Sequence, residues 1–201
     1  ALVGRAIVRV VTAGTLTEES LLDARAANWC AAIGEAAGGV AIACADVSTG
    51  AFEIIDVDPA AFGAELARLN ASEMVASETS AFVDAATTIR PREGFDSARG
   101  KARLRPLPAV ATLEGFGTIS RAGLAAAGGL ISYLEHTAKG ALPFLRPPRV
   151  RGSDAMMAID AATRDSLELC QSAAGTRAGS LLDAVDRTVT GAGARMLGQD
   201  L

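Results

Sequence analysis

The stretch that most limits the fold is Val40–Val47, V-A-I-A-C-A-D-V, in which every residue but Asp46 is apolar. A strand with one wet face alternates apolar and polar residues. A continuous apolar run this short reads instead as a strand buried on both faces. Ser48-Thr49-Gly50 supplies turn chemistry, and Ala51–Val57 (A-F-E-I-I-D-V) reads as the returning strand of a hairpin. A strand covered on both sides needs helices on both sides. The class is therefore α/β or α+β with a mixed sheet.

Other elements follow from spacing. Ile7–Thr12 (I-V-R-V-V-T) is β-branched and predicts a short strand. Thr17 can cap a helix, and Leu21–Ile33 suits either one helical face or an extended lead into a helix, broken at Gly38-Gly39. Asp58-Pro59 starts a helix whose buried stripe is Phe62, Leu66 and Leu69, with Glu65 and Arg68 pointing elsewhere. Glu73–Glu78 and Thr87–Ile89 predict strands, and Asp96–Leu104 a short helix. Pro106 and Pro108 mark a linker-like stretch. Ser120–Lys139 is the strongest helix of this part. Gly128-Gly129 in its middle implies close contact with a neighbouring backbone, because each glycine costs about 1 kcal/mol relative to alanine. Leu142–Arg151 (L-P-F-L-R-P-P-R-V-R) is too rich in proline for a helix and sets a domain boundary. Beyond it the pattern is all-α: Ala161–Gln171, Ser180–Thr188, and Gly191 onward. The predicted domains are residues 1–145 and 146–201.

With 201 residues, 50% hydrophobic and 21% charged, the chain is an ordinary globular one with enough length to bury a core. Aromatics make up only 4%, so Ala, Leu, Val and Ile must fill that core. The net charge of −4 does not suggest a nucleic-acid binder as a whole. Two local runs are basic: Arg90, Arg92, Arg99, Lys101, Arg103 and Arg105, and then Arg146, Arg149 and Arg151. They read first as solvated surface, and second as a phosphate-facing patch. Cys30, Cys44 and Cys170 are far apart with no C-x-x-C, which points to reduced thiols in the cytoplasm rather than a zinc site. No apolar run approaches the roughly 20 residues that span a bilayer. The missing initiator Met and a last helix with no closing cap lead us to expect a fragment.

Motifs of catalysis are missing from the sequence. It has no G-x-x-x-x-G-K-[ST], no G-x-G-x-x-G and no G-x-S-x-G. His136 stands alone beside Glu135 and reads as a structural or surface residue. Asp46 is the one residue with a chemical alternative. A strand carboxylate before S-T-G can hold a divalent metal in RNase H-like nucleases and actin-like phosphotransferases. Two-metal chemistry needs three or four converging carboxylates. Glu78 could be a second, and Asp96 and Asp160 are candidates by position only. The simpler reading is that Asp46 hydrogen-bonds the hairpin turn.

Several motifs resemble those of the MutS family of DNA mismatch repair proteins, and in the family's order. Val8–Arg25 (V-R-V-V-T-A-G-T-L-T-E-E-S-L-L-D-A-R) is similar to the lead-in to the connector domain, with Ala13 where proline is usual. Ala45–Phe52 (A-D-V-S-T-G-A-F) resembles its hairpin. Glu65–Glu73 (E-L-A-R-L-N-A-S-E) resembles a later stretch, with Ala71 for proline. Gly115–Gly117 and Ala126–Thr137 look like the way out of the connector. Asp160–Arg164 (D-A-A-T-R) and Asp186–Thr190 (D-R-T-V-T) resemble the start of the core.

The resemblance implies an RNase H-like, non-catalytic connector domain followed by a truncated all-α core or lever domain. It implies a role in relaying between mismatch recognition and the ATPase, and in docking a MutL-type protein. Mismatched DNA, ATP with magnesium, and a homodimer would belong to parts of the parent protein outside this chain, which itself needs no cofactor. Glu65 and Arg68 are the candidate partner surface. The alternative is an RNase H-like metal-dependent nuclease using Asp46.

Overall fold

The computed structural model describes residues 7–23, 26–107, 118–140, 142–152 and 159–200. Its centre is the expected hairpin. Strand β2 (Gly39–Asp46) pairs antiparallel with β3 (Ala51–Val57), Ile42 lying opposite Ile55. On its other side β2 pairs antiparallel with β1 (Cys30–Ala36), Ile33 lying opposite Ile42. Strands β4 (Glu73–Ser77) and β5 (Thr88–Arg90) continue the sheet beyond β1, each parallel to its neighbour. Strand β6 (Arg149–Arg151) lies parallel along β3. The order is β5-β4-β1-β2-β3-β6. Only β2 runs against the rest. This is the mixed α/β sheet that the sequence implies, and it suits an RNase H-like connector.

Helices cover both faces, which is why β2 can be apolar throughout. On one face Ala41, Ala43 and Ala45 pack under α3 (Arg121–Thr137) together with α2 (Ser97–Leu104). On the other, Ile42 and Cys44 pack with Phe62 and Leu69 of α1 (Phe62–Leu69). Each isoleucine among the fully buried Ile33, Ile42 and Ile54 contributes roughly 1.5–3 kcal/mol by leaving water. The alanines have a second use, because small side chains let α3 sit close to the sheet. A Cβ on Gly34 would stand 2.2 Å from the backbone nitrogen of Ala126. The close approach read from Gly128-Gly129 is also present. Gly128 faces Gly100 of α2, and Gly129 lies beneath the Phe95 ring. Ser120 caps α3 by accepting from the Gly123 amide, and Asp96 caps α2 by accepting from the Arg99 amide.

Two expectations near the amino terminus need correction. Ile7–Thr12 is not a strand. Among the described residues its one backbone bond to another element runs from the Val10 amide to the Thr137 carbonyl, and Ile7 and Val8 face solvent. β-Branched residues favour extended backbone, but a strand also needs a ladder partner. Among the described residues of Leu21–Ile33 the helix considered there is absent too: a single helical turn lies at Glu19–Leu21, and β1 begins at Cys30. The β1–β2 connection is a two-residue turn of Ala37 and Gly38, both at positive φ, as a tight hairpin requires.

After β6 the described residues form three helices, α4 (Ala161–Ser166), α5 (Leu181–Val185) and α6 (Gly191–Asp200). The last begins at Gly191 as expected, while α4 and α5 are shorter than predicted: Glu168 takes a positive φ just beyond α4, so that helix cannot reach Gln171. Leu169, Leu182 and Ala194 are buried, while Leu167, Leu181, Val189 and Met196 remain exposed. Gly115–Gly117 and Pro108 lie outside the described residues. Among those described, no helix is long and apolar enough to cross a membrane.

Candidate functional site

Asp46 ends β2 and is 1% exposed. Its Oδ1 accepts from the Ser48 amide at 2.9 Å and the Ser48 hydroxyl at 2.6 Å, and its Oδ2 accepts from the Asn28 amide at 3.2 Å. Its carbonyl accepts from the Gly50 amide at 2.8 Å. The D-V-S-T-G sequence thus builds a self-satisfied turn that also ties the approach to β1. Three donors already engage the carboxylate, as the simpler reading of Asp46 has it.

The other acidic candidates do not gather around it. Glu78 is exposed, with its amide bonded to the Arg90 carbonyl. Asp96 caps α2, and Asp160 caps α4 by accepting from the Thr163 amide and hydroxyl, each at 2.9 Å. Those bonds hold the Asp160 carboxyl below its ordinary range. Among the described residues, no group of three or more His, Cys, Asp or Glu side chains could hold a metal. His136 is exposed near the end of α3, and the nearby Arg90 guanidinium lowers its pKa. Cys30 and Cys44 lie buried on opposite faces of the sheet. Burial pushes both thiols well up, Glu73 adding to the rise at Cys30 and Glu53 at Cys44.

Glu65 and Arg68 were expected on the free face of α1, and this is corrected. Their side chains are only 16% and 9% exposed. Arg68 donates Nε at 3.0 Å and Nη2 at 2.6 Å to Oε1 of Glu65. Arg151 of β6 reaches the same oxygen at 3.4 Å and pairs with Glu53 of β3 at 3.2 Å. The helical spacing places these residues off the apolar stripe correctly, but β6 and its arginine cover that side. The group is a clamp that fixes the chain leaving the sheet.

A second clamp holds the chain that approaches the sheet, and sequence reasoning missed it. Glu73, the first residue of β4, accepts at Oε2 from the Thr12 hydroxyl at 2.6 Å and the Gly14 amide at 3.0 Å. Its Oε1 accepts from the Tyr133 hydroxyl at 2.5 Å. Gly14 has to be glycine here, since a Cβ would sit 2.8 Å from both the Cys30 and Glu73 Cβ atoms. The T-A-G-T and N-A-S-E motifs are therefore two halves of one contact. Their joint presence was the available signal, although nothing in either motif names the other.

The basic run of residues 90–105 divides in two. Arg90 lies over the Tyr133 ring, 5.9 Å from its centre. Arg103 donates to the Gly128 carbonyl at 3.1 Å and pairs with Glu135 at 3.6 Å. Arg92, Arg99, Lys101 and Arg105 are exposed.

Comparison with known proteins bears directly on this arrangement. The family model described as MutS domain II matches residues 28–146, from the residue bonded to Asp46 to the chain just before β6. The DNA mismatch repair protein MutS of Erythrobacter litoralis is 56% identical over 200 residues, covering 100% of this chain and 23% of that protein. The chain belongs to the MutS family. The MutS of Zymomonas mobilis is 50% identical over 207 residues, covering 100% of this chain and 24% of its own length. That of Ruegeria pomeroyi is 47% identical over 208 residues, covering 99% and 24%. The chain thus spans about a quarter of the length of the curated MutS relatives it matches. The matched domain holds β1 to β5, the Asp46 turn and Glu73. Thr12 and Gly14, on the other side of the Glu73 clamp, precede it.

Proposed function

We propose that this chain is a non-catalytic connector piece of a MutS-type mismatch repair protein. It relays displacement between the part that recognises mismatched DNA and the part that hydrolyses ATP, and it offers a docking face to a MutL-type protein. The two clamps carry the reading. Thr12 and Gly14 are held by Glu73, and Arg151 by Glu53 and Glu65, so the chain on either side of the sheet is fixed to one rigid body. A pull on either side then moves the sheet rather than stretching a linker. ATP and magnesium would be held outside residues 1–201, where a phosphate-cradling loop could exist, and a homodimer belongs to that larger protein. We place the connector at residues 1–145 and the start of the core from 146, with β6 still paired to the sheet across that division.

Docking is tested by calorimetric titration of the chain with a MutL-type protein, using the wild type and the double reversal Glu65→Lys with Arg68→Glu. We expect binding, weakened in the variant because the double reversal breaks the Glu65–Arg68–Arg151 group that seats α1 beneath the docking face. Circular dichroism checks that the variant keeps its fold. Equal affinity would remove α1 from the surface, and no binding by the wild type would sink the docking role. The non-catalytic reading is tested with branched and hybrid nucleic acids plus magnesium. Cleavage that disappears in Asp46→Asn would overturn it.

A further inference from the structure

A cleft of about 630 Å³ opens at the carboxyl ends of β1 and β4. From β1 the chain turns to β2 and β3 on one side, and later adds β4 and β5 on the other. In open α/β sheets such a switch point is where ligands bind. Arg92, Arg99 and Arg121 line the cleft, with the hydroxyls of Ser77 and Thr79. Among the described residues none of these three guanidiniums makes an ion pair. Their placement is also unfavourable for the fold alone. Arg99 lies in the first turn of α2 and Arg121 is the first residue of α3, where the helix dipole disfavours positive charge.

Three carboxylates share the lining, and two are already engaged. Glu35 accepts from the Ser80 hydroxyl and from the Ala81 amide at 3.2 Å, and Asp96 accepts from the Arg99 amide at 2.8 Å. Glu93 is exposed. Beside the cleft, Ala98, Lys101, Ala102 and Arg105 form one exposed stripe along α2, at spacings of three and four residues. The two alanines keep that stripe low, so that a bulky partner can approach the two cations. From Ser97 to Leu107 the sequence contains no acid.

We propose that the cleft and the outer stripe of α2 form a track for the phosphate backbone of duplex DNA. Guanidinium forks match phosphate oxygens in pairs, and such contacts need no apolar anchor. An acidic peptide would fit less well, because the lining offers only Ile33 and a buried Phe95 as large apolar groups, where peptide grooves rely on exposed aromatic or aliphatic pockets. The choice of DNA rests on the family assignment. Arg90 and Arg103, turned inward, are not part of the track.

The test uses the 201-residue chain and a fluorescent duplex of arbitrary sequence, read by anisotropy from about 20 to 200 mM salt. We expect weak binding with a log–log salt slope of about −3 to −5, for three to five neutralised phosphates. Arg92→Glu with Arg99→Glu and Arg121→Glu should weaken it by at least about tenfold. A charge-matched control reverses the exposed Lys139, Arg146 and Arg149 to Glu, away from the cleft. It should change affinity by less than about threefold, as expected for long-range charge alone. The milder Arg→Gln triple and a thermal melt guard against misfolding. No binding at low salt, or equal losses in both reversals, would overturn the track. Binding of polyglutamate with the same arginine dependence and none of DNA would overturn it in favour of a peptide. The MutL-type titration on the same preparations should be unaffected by the cleft variant, so loss of the track and loss of docking are separate results.

Discussion

The Tyr133 hydroxyl donates to Oε1 of Glu73 at 2.5 Å, joining the later half of α3 to the first residue of β4. The other oxygen of the same carboxylate holds Thr12 and Gly14. One side chain therefore binds helix, sheet and leading segment together. A hydrogen bond to a charged group is worth roughly 1.5–3 kcal/mol when its loss leaves the partner without a donor. Tyr133→Phe should cost about 1–2 kcal/mol in urea unfolding, because the Thr12, Gly14 and Thr88 donors to Glu73 remain. Glu73→Ala should release the leading segment selectively. Amide exchange at Gly14 should quicken by at least about tenfold, while exchange in β2 stays within the change in global stability. Equal acceleration at both places would show that Glu73 supports the whole fold and not the segment.

Gly100 and Gly63 are both helical glycines with opposite surroundings. A Cβ on Gly100 would stand 1.9 Å from the Leu124 carbonyl oxygen, which is backbone and cannot rotate away. Gly63 in α1 is exposed and has nothing within 4 Å. Gly100→Ala should therefore separate α2 from α3 and cost about 3 kcal/mol or more. Gly63→Ala should stabilise by roughly 0.5–1 kcal/mol through helix propensity. Thermal melts of the two variants against wild type measure both, and a neutral Gly100→Ala would contradict the helix contact.

How far the sequence revealed this molecule depends on where each property is decided. The β2–turn–β3 unit was legible because its causes are local: a continuous apolar run, then Asp46, Ser48 and Gly50 supplying their own turn bonds. Strand β1 was not. Its residues, C-A-A-I-G-E-A, favour helix by propensity, and only pairing with β2 and β4 makes them a strand. Family resemblance supplied the domain and its order. It could not show that Glu65 and Arg68 are covered, because the covering residue, Arg151, is 86 positions from Glu65. The Glu73 clamp was hidden for the same reason, its partners Thr12, Gly14 and Tyr133 lying 59 to 61 residues away.

The turn between β1 and β2 carries a correctable cost. Ala37 has φ of +53° and Gly38 +78°. Both central residues of such a turn need positive φ, and asparagine followed by glycine satisfies this best. Alanine in the left-handed region costs roughly 1 kcal/mol. Ala37 is exposed, so a new side chain meets little resistance. Ala37→Asn should stabilise by about 0.5–1 kcal/mol and slow unfolding. Stopped-flow unfolding rates and an equilibrium melt would show it, and an unchanged stability would mean that the turn relaxes in solution.

The two buried thiols give the protein a defined weakness at alkaline pH. Burial raises Cys30 and Cys44 well above their ordinary range, so the folded state keeps both protons where the unfolded chain would lose them. Stability from this source is complete below the unfolded thiol pKa of about 8.5 and declines as pH rises beyond it. At about pH 9.5 one thiol should account for a loss of roughly 1.4 kcal/mol relative to pH 7. Cys44→Ala removes one of the two contributions while leaving a residue type that already fills the neighbouring positions of β2. Its stability should start lower, because buried volume is lost, but fall less steeply between about pH 8 and 9.5. Urea unfolding at closely spaced pH values gives both curves. Parallel curves would show that Cys44 can ionise in place, which would require water to reach the α1 face of the sheet.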